Sequence, residues 1–150
     1  MIDVPGPTGR PSRMTVTFQA LGGAALAVSF ITGLLLFIGE SGREEEPLPW
    51  MHTCLVLHGI LNAVLCGFFG YLLARHIPSG WTMRVNRGTG VLLIVVSVGL
   101  IVTGLGRYYG SSREIYYWVH FVLGLILPVG VGFHIWLGQR WARKVERTPK

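Results

Sequence analysis

The chain has 150 residues, of which 51% are apolar, 13% are charged and 21 are glycine, a composition that suits a small membrane bundle better than a soluble domain. Its net charge of +6 does not point to nucleic acid, because the basic residues stand at the borders of long apolar runs and leave no soluble domain to build a reading surface. Four stretches carry no charge, 14–39, 47–74, 88–106 and 115–139. A helix that crosses a bilayer needs about 20 apolar residues, and each stretch has that length or more, or falls just short of it. The expected fold is therefore an all-α membrane protein, a single four-transmembrane-helix bundle over residues 1–150, with helices at about 15–39, 49–76, 88–107 and 114–140.

The first span follows Arg10 and Arg13. Its uncharged run is longer than the apolar region of a secretory signal, and no small-x-small cleavage site clearly follows it, so it is expected to stay as the first helix. Gly22-Gly23-Ala24-Ala25 is tolerated there where a neighbouring helix packs closely. The loop after it is acidic through Glu40, Glu44, Glu45 and Glu46, with Arg43 among them. In the second span Cys54 and Cys66 are separated by about 18 Å of helix, too far to bridge each other, and are read as small apolar packing residues. Arg75, Arg84 and Arg87 flank the next loop, Arg107 and Arg113 the one after, and five basic residues run from Arg140 to Lys150. Ten of the thirteen basic residues thus lie on one side of the expected bundle. By the positive-inside rule that side is cytoplasmic, and both termini face it.

Histidine is costly in hydrocarbon unless it pairs, lines water or ligates something. On the second span the interval from His58 to His76 amounts to five full helical turns, so the two project from one face. On the fourth span the shorter interval from His120 to His134 leaves the two about 40° from alignment. The second and fourth spans run in the same direction, so His58 and His120 share the outer half and His76 and His134 the inner half. Two neutral histidines from facing helices, on opposite sides of one flat macrocycle, are what bis-imidazole haem ligation requires. Two such levels lie about 21 Å apart on one helix and about 27 Å on the other, a mismatch of about 6 Å. Tilt, a canted haem or a displaced helix end has to absorb it. Gly59 beside His58, Gly124 four residues after His120 and Gly130 four before His134 leave room for a macrocycle, or else serve close helix packing.

Other readings of these residues stand beside this one. A histidine can be a hydrogen-bonded core residue. His76 precedes Ile77-Pro78-Ser79-Gly80, a helix-stop signal, and there an interfacial histidine at the negative end of the helix dipole competes with a ligand. His52, about 240° round the helix from His58, is read as interfacial. Zinc or copper fits less well than haem, since no carboxylate or cysteine joins either pair.

At these residues the chain resembles the cytochrome b561-like superfamily of bacterial membrane cytochromes, including the haem b subunits of formate dehydrogenases and nickel-iron hydrogenases. The fourth span carries the resemblance, in Trp118-Val119-His120 through Gly132-Phe133-His134-Ile135-Trp136-Leu137-Gly138. Small four-helix relatives with a His58-Gly59 and a His76-Ile77 are similar as well. The resemblance covers nearly the whole chain and implies two haem b groups, with His58, His76, His120 and His134 as iron ligands. One departure is clear. In the dehydrogenase subunits the second inner ligand is a histidine thirteen residues before a Thr-Gly pair; Thr32-Gly33 is present here, and the matching position is Gln19. Either His76 replaces that ligand or the inner haem is absent or altered; the expectation carried forward is replacement.

The function so implied is transmembrane electron transfer in a bacterial cytoplasmic membrane, between a quinone or quinol pool and a partner redox protein or larger complex. Arg107 and Arg113 outside, and Arg75, Arg84 and Arg87 inside, are placed to neutralise haem propionates, or simply set topology. Tyr108, Tyr109, Tyr116, Tyr117 and Trp118 either edge an outer quinone pocket or form an interfacial aromatic belt. Pro128 is expected to kink the fourth span between the two levels. The alternative is a non-redox structural or assembly subunit of a membrane complex. A small transporter is disfavoured, since the spans lack intramembrane carboxylates and broken-helix repeats.

Overall fold

In the computed structural model the described residues are 16–40, 48–83 and 86–146, and they form helices α1 (Val16–Glu40), α2 (Pro49–Tyr71), α3 (Ile77–Met83), α4 (Arg87–Tyr109) and α5 (Arg113–Glu146). A π-helical turn, Leu72–His76, joins α2 to α3 without a break, and the three pieces make one continuous rod. Among the described residues, four helices are long and apolar enough to cross a membrane: Val16–Glu40, Pro49–Trp81, Arg87–Tyr109 and Arg113–Arg143. The all-α class and four helices of spanning length, as expected from charge spacing, are thus present. Arg10, Arg13, Arg43, Glu44, Glu45, Glu46, Arg84, Arg147 and Lys150 lie outside the described residues.

Local chemistry explains most helix ends. Extended Leu48 caps α2, and Pro49 takes the first helical position, where its ring presets φ and its missing N–H costs nothing. Asn86 opens α4 in the left-handed conformation, φ 52° and ψ 29°, a region that asparagine tolerates better than most side chains. Thr89 Oγ1 donates to the Asn86 carbonyl at 3.0 Å, securing that first turn. At its far end α4 stops at Gly110, whose N–H reaches the Gly106 carbonyl, and a short link leads into α5.

Two boundaries differ from expectation. α5 continues to Glu146, because Trp141-Ala142-Arg143-Lys144 is good helix-forming sequence beyond the apolar run. The second rod does not stop at His76 but runs on through Pro78 to Met83. Proline in an α-helix removes one N–H and drives its ring against the carbonyl four residues back, which here is Ala74. That carbonyl lies in the π-turn, where the Ile77 N–H reaches back five residues to Leu72. The wider turn moves it out of the proline's way, so the helix accommodates Pro78 instead of ending. Helix α5 likewise passes unbroken through Pro128.

α1 packs along α2 and α4 along α5, giving two antiparallel hairpins that meet mainly through α1 and α5. α2 and α5 have no extended backbone contact; a gap separates them. The outward faces are apolar and exposed, with Leu21, Ile60, Val95, Val129 and Ile135 all more than half accessible. The interior is inverted relative to a soluble protein. Its most buried side chains include Ser29, Thr32 and Thr103, at 5%, 5% and 7% exposure, and these three surround the gap.

Candidate functional site: two histidine pairs between the hairpins

The gap is where the histidines meet. His58 of α2 faces His120 of α5 with ring centroids 6.3 Å apart and planes at 76°. At the other level His76, the last residue of the π-turn, faces His134 with centroids 6.2 Å apart and planes at 75°. Both pairings expected from helical phase are present, and their geometries nearly coincide. Helical phase alone does not explain this, because the interval from His58 to His76 on one rod is longer than that from His120 to His134 on the other. The π-turn takes up part of the difference, since a wider turn advances less per residue and re-aims His76. His52 is exposed on the first turn of α2 and belongs to neither pair.

Each of three histidines has its Nδ1 engaged. His58 Nδ1 lies 3.0 Å from the Ser29 carbonyl oxygen and 3.2 Å from Thr32 Oγ1. A carbonyl only accepts, so Nδ1 carries the proton. His120 Nδ1 is 3.0 Å from Thr103 Oγ1, whose own proton is donated to the Gly99 carbonyl at 2.7 Å. His134 Nδ1 is 2.7 Å from Thr89 Oγ1, which is likewise committed to the Asn86 carbonyl. A hydroxyl that has given away its one proton can only accept, so these Nδ1 atoms donate too. In all three the lone pair is left on Nε2, the form in which imidazole binds a metal.

Glycine makes room for the rings. A Cβ added to Gly33 would stand 3.0 Å from His58 Cε1, one on Gly104 3.4 Å from His120 Cε1, and one on Gly90 3.8 Å from His134 Cε1. Each of these glycines follows the threonine that holds the same histidine. Thr32-Gly33, Thr103-Gly104 and Thr89-Gly90 are therefore three copies of one receptacle: a hydroxyl to take the Nδ1 proton and a recess for the ring edge. The sequence reading used only the first of them. The signal for the others was available, because the interval from Thr89 to Thr103 on α4 equals that from His120 to His134 on α5.

The pair of His58 and His120 opens into a cavity of about 1040 Å³ whose lining includes Gly33, Gly59, Asn62, Gly104 and Gly124. A Cβ on Gly59 or Gly124 would meet nothing within 4 Å, so these two glycines face open space. Gly130 does not: its added Cβ would stand 3.0 Å from Leu93 Cδ2, which makes it a contact between α4 and α5. Arg107 and Arg113 line the mouth of the cavity. Arg107 pairs with Glu40 at 3.3 Å and lies over the Tyr117 ring at 4.8 Å. Tyr108, Tyr117 and Trp118 also line this end, with Phe37 stacked on Phe121 at 3.7 Å between α1 and α5. On the other side, Arg87 reaches the Trp81 carbonyl through its guanidinium.

Among the described residues no group of three or more His, Cys, Asp or Glu gathers into a metal cage. The arrangement therefore offers two donors per level, on opposite sides of a gap, with the remaining coordination positions open. Comparison with family models, with curated proteins and with solved structures finds no match to this chain.

Proposed function

We propose that the chain is a membrane cytochrome that holds two b-type haems in the gap between α2 and α5, one at each histidine pair, and passes single electrons across the bilayer. The observation that carries this reading is the pair geometry. With a metal–nitrogen bond of about 2 Å and a ring centre about 1 Å behind that nitrogen, two imidazoles on opposite sides of one metal have centroids roughly 6 Å apart. The separations here are 6.3 and 6.2 Å. A pair of histidines joined by a direct hydrogen bond would instead engage each other through a ring N–H. Here the Nδ1 protons of three point away, to threonine and carbonyl oxygens.

Haem iron held between two imidazoles supplies reversible one-electron exchange, at a potential tuned by ligation, burial and hydrogen bonding. The chain's residues do the rest. His58 and His120 hold the outer position, and His76 and His134 the inner one, about 21 Å away along α5. Gly59 and Gly124 keep the outer gap open, and Arg107 and Arg113 at its mouth bring positive charge to bear on acidic groups there. The apolar exterior sits in lipid, with both termini on the cytoplasmic side where Arg75, Arg87 and Arg140 cluster. A quinone or quinol at the aromatic, arginine-bearing mouth and a partner redox protein or complex are the electron donor and acceptor of this reading. The bacterial cytoplasmic membrane is its setting.

The test is the visible spectrum of the purified chain. A reducible Soret band with an alpha band, lost in part when His58 or His120 is replaced by alanine, is the expected result. A colourless protein that stays folded would favour a structural or assembly subunit.

A further inference from the structure

The four histidines are not equally held, and the inequality follows a gradient from one level to the other. In the outer pair both rings are held: His58 by Thr32 and the Ser29 carbonyl, and His120 by Thr103, whose own proton is committed to the Gly99 carbonyl. At the inner level, His134 has Thr89 alone. His76 has no hydrogen bond to its ring among the described residues; what it has is the ring contact with His134.

Among the described residues no fourth receptacle of this kind faces His76. On α4 the spacing of the two Thr-Gly pairs matches that of the two histidines on α5. The same interval counted back from Thr32-Gly33 on α1 reaches Phe18-Gln19. Phe18 is committed elsewhere, stacked on Phe68 at 4.2 Å and against Tyr71 at 4.4 Å. The interval from His58 to His76 is longer, and counted back from Thr32 it reaches Met14, outside the described residues. The backbone under His76 is also the π-turn, a rare and wider turn between the α-helices on either side.

We infer that Thr89, Thr103 and Thr32 are positioning residues that present Nε2 of His134, His120 and His58 to the gap, and that His76, which has no such residue among the described ones, is the exchangeable ligand of the inner site. This rests on the haem reading of the pairs. With haem bound, a small neutral ligand such as carbon monoxide would take the inner position in place of the His76 imidazole, which would swing out with the π-turn. The outer position, with both rings locked, stays closed to it. Ligand exchange is the whole step: one nitrogen–metal bond breaks, one carbon–metal bond forms, and no electron or proton changes hands.

The experiment uses the full chain in detergent, purified with its haem, and compares wild type with Thr89→Val, Thr89→Ser and Thr103→Val. In reduced wild type, carbon monoxide is expected to shift the Soret band of one haem per chain and leave the other unchanged. Thr89→Val removes the last hydrogen bond of the inner pair, so it is expected to release that same haem to an apo-globin acceptor about 10- to 100-fold faster. Thr89→Ser restores the hydroxyl and the wild-type rate. Thr103→Val changes release less, because His58 across the same gap keeps both of its partners. Reaction of carbon monoxide with both haems or with neither, or equal release from wild type and Thr89→Val, overturns the inference while leaving the haem reading intact. A chain that purifies without haem defeats the haem reading instead, and nitrogen-15 NMR of its histidines then decides the positioning claim. Three Nδ1–H tautomers, one of them lost in Thr89→Val, uphold it; a mixture unchanged by the substitution overturns it.

Discussion

At the scale of single residues, the site is built from small ones. The glycines that admit the histidine rings differ in clearance, and the difference orders the expected effects of alanine. Gly33→Ala places a methyl 3.0 Å from the His58 ring, Gly104→Ala 3.4 Å from His120, and Gly90→Ala 3.8 Å from His134. The first forces the ring to move, and the last is ordinary contact. Haem content and the position of the Soret band are expected to change most in Gly33→Ala and least in Gly90→Ala; the reverse order would mean that the recess does not set the ring. Gly124 and Gly59 test the opposite property, since both face open space. Gly124→Leu is expected to fill the outer gap, leave helicity by circular dichroism unchanged and lower haem binding at that level. The Glu40–Arg107 pair is exposed by 36% on each side, and Glu40→Gln is expected to alter thermal stability by no more than about 1 kcal/mol.

The same scale shows what could be read in advance. His58, His120, His76 and His134 announce themselves because a polar ring inside an apolar run is costly, and their spacing gives the pairs. Their threonines do not. A threonine in a spanning helix bonds its own turn whether or not a histidine is near, so Thr89 and Thr103 are legible only through an interval equal to that from His120 to His134. Gly130 illustrates the limit in another way: glycine near a ligand in sequence can face the wrong helix, and this one meets Leu93.

At the scale of elements, the spans were legible because charge is excluded from them, and this signal does not depend on packing. The π-turn was not. Ile77-Pro78-Ser79-Gly80 reads as a stop by local chemistry, yet the rod continues to Met83 because a turn with a five-residue reach relieves the clash at Ala74. The same turn absorbs part of the mismatch of about 6 Å between the two rods. Pro78→Ala removes the reason for the wide turn. If the segment relaxes to regular α-helix, His76 rotates by about 100°, the angle of one residue, and leaves His134. The expected outcome is loss of the inner haem with the outer one retained, measured as haem per chain and as the surviving band. Unchanged stoichiometry would show that the turn is held by its neighbours and not by the proline.

At the scale of the whole molecule, two hairpins enclose a gap that neither could hold alone. The polar atoms of Ser29, Thr32 and Thr103 are buried inside and the apolar side chains are exposed outside, the distribution that lipid demands. Basic residues on one side predict that reporters fused at the amino and carboxy ends both lie in the cytoplasm; a protease-accessible carboxy terminus on the outer face would reverse the assignment of which histidine pair is outer. Haem stoichiometry in wild type, His58→Ala and His76→Ala tests whether each histidine pair holds one haem. Two haems per chain are expected, falling to one in each variant, with different bands surviving in the two. Wild-type chain that is folded and carries no haem, or variants that both keep the wild-type number, would contradict it.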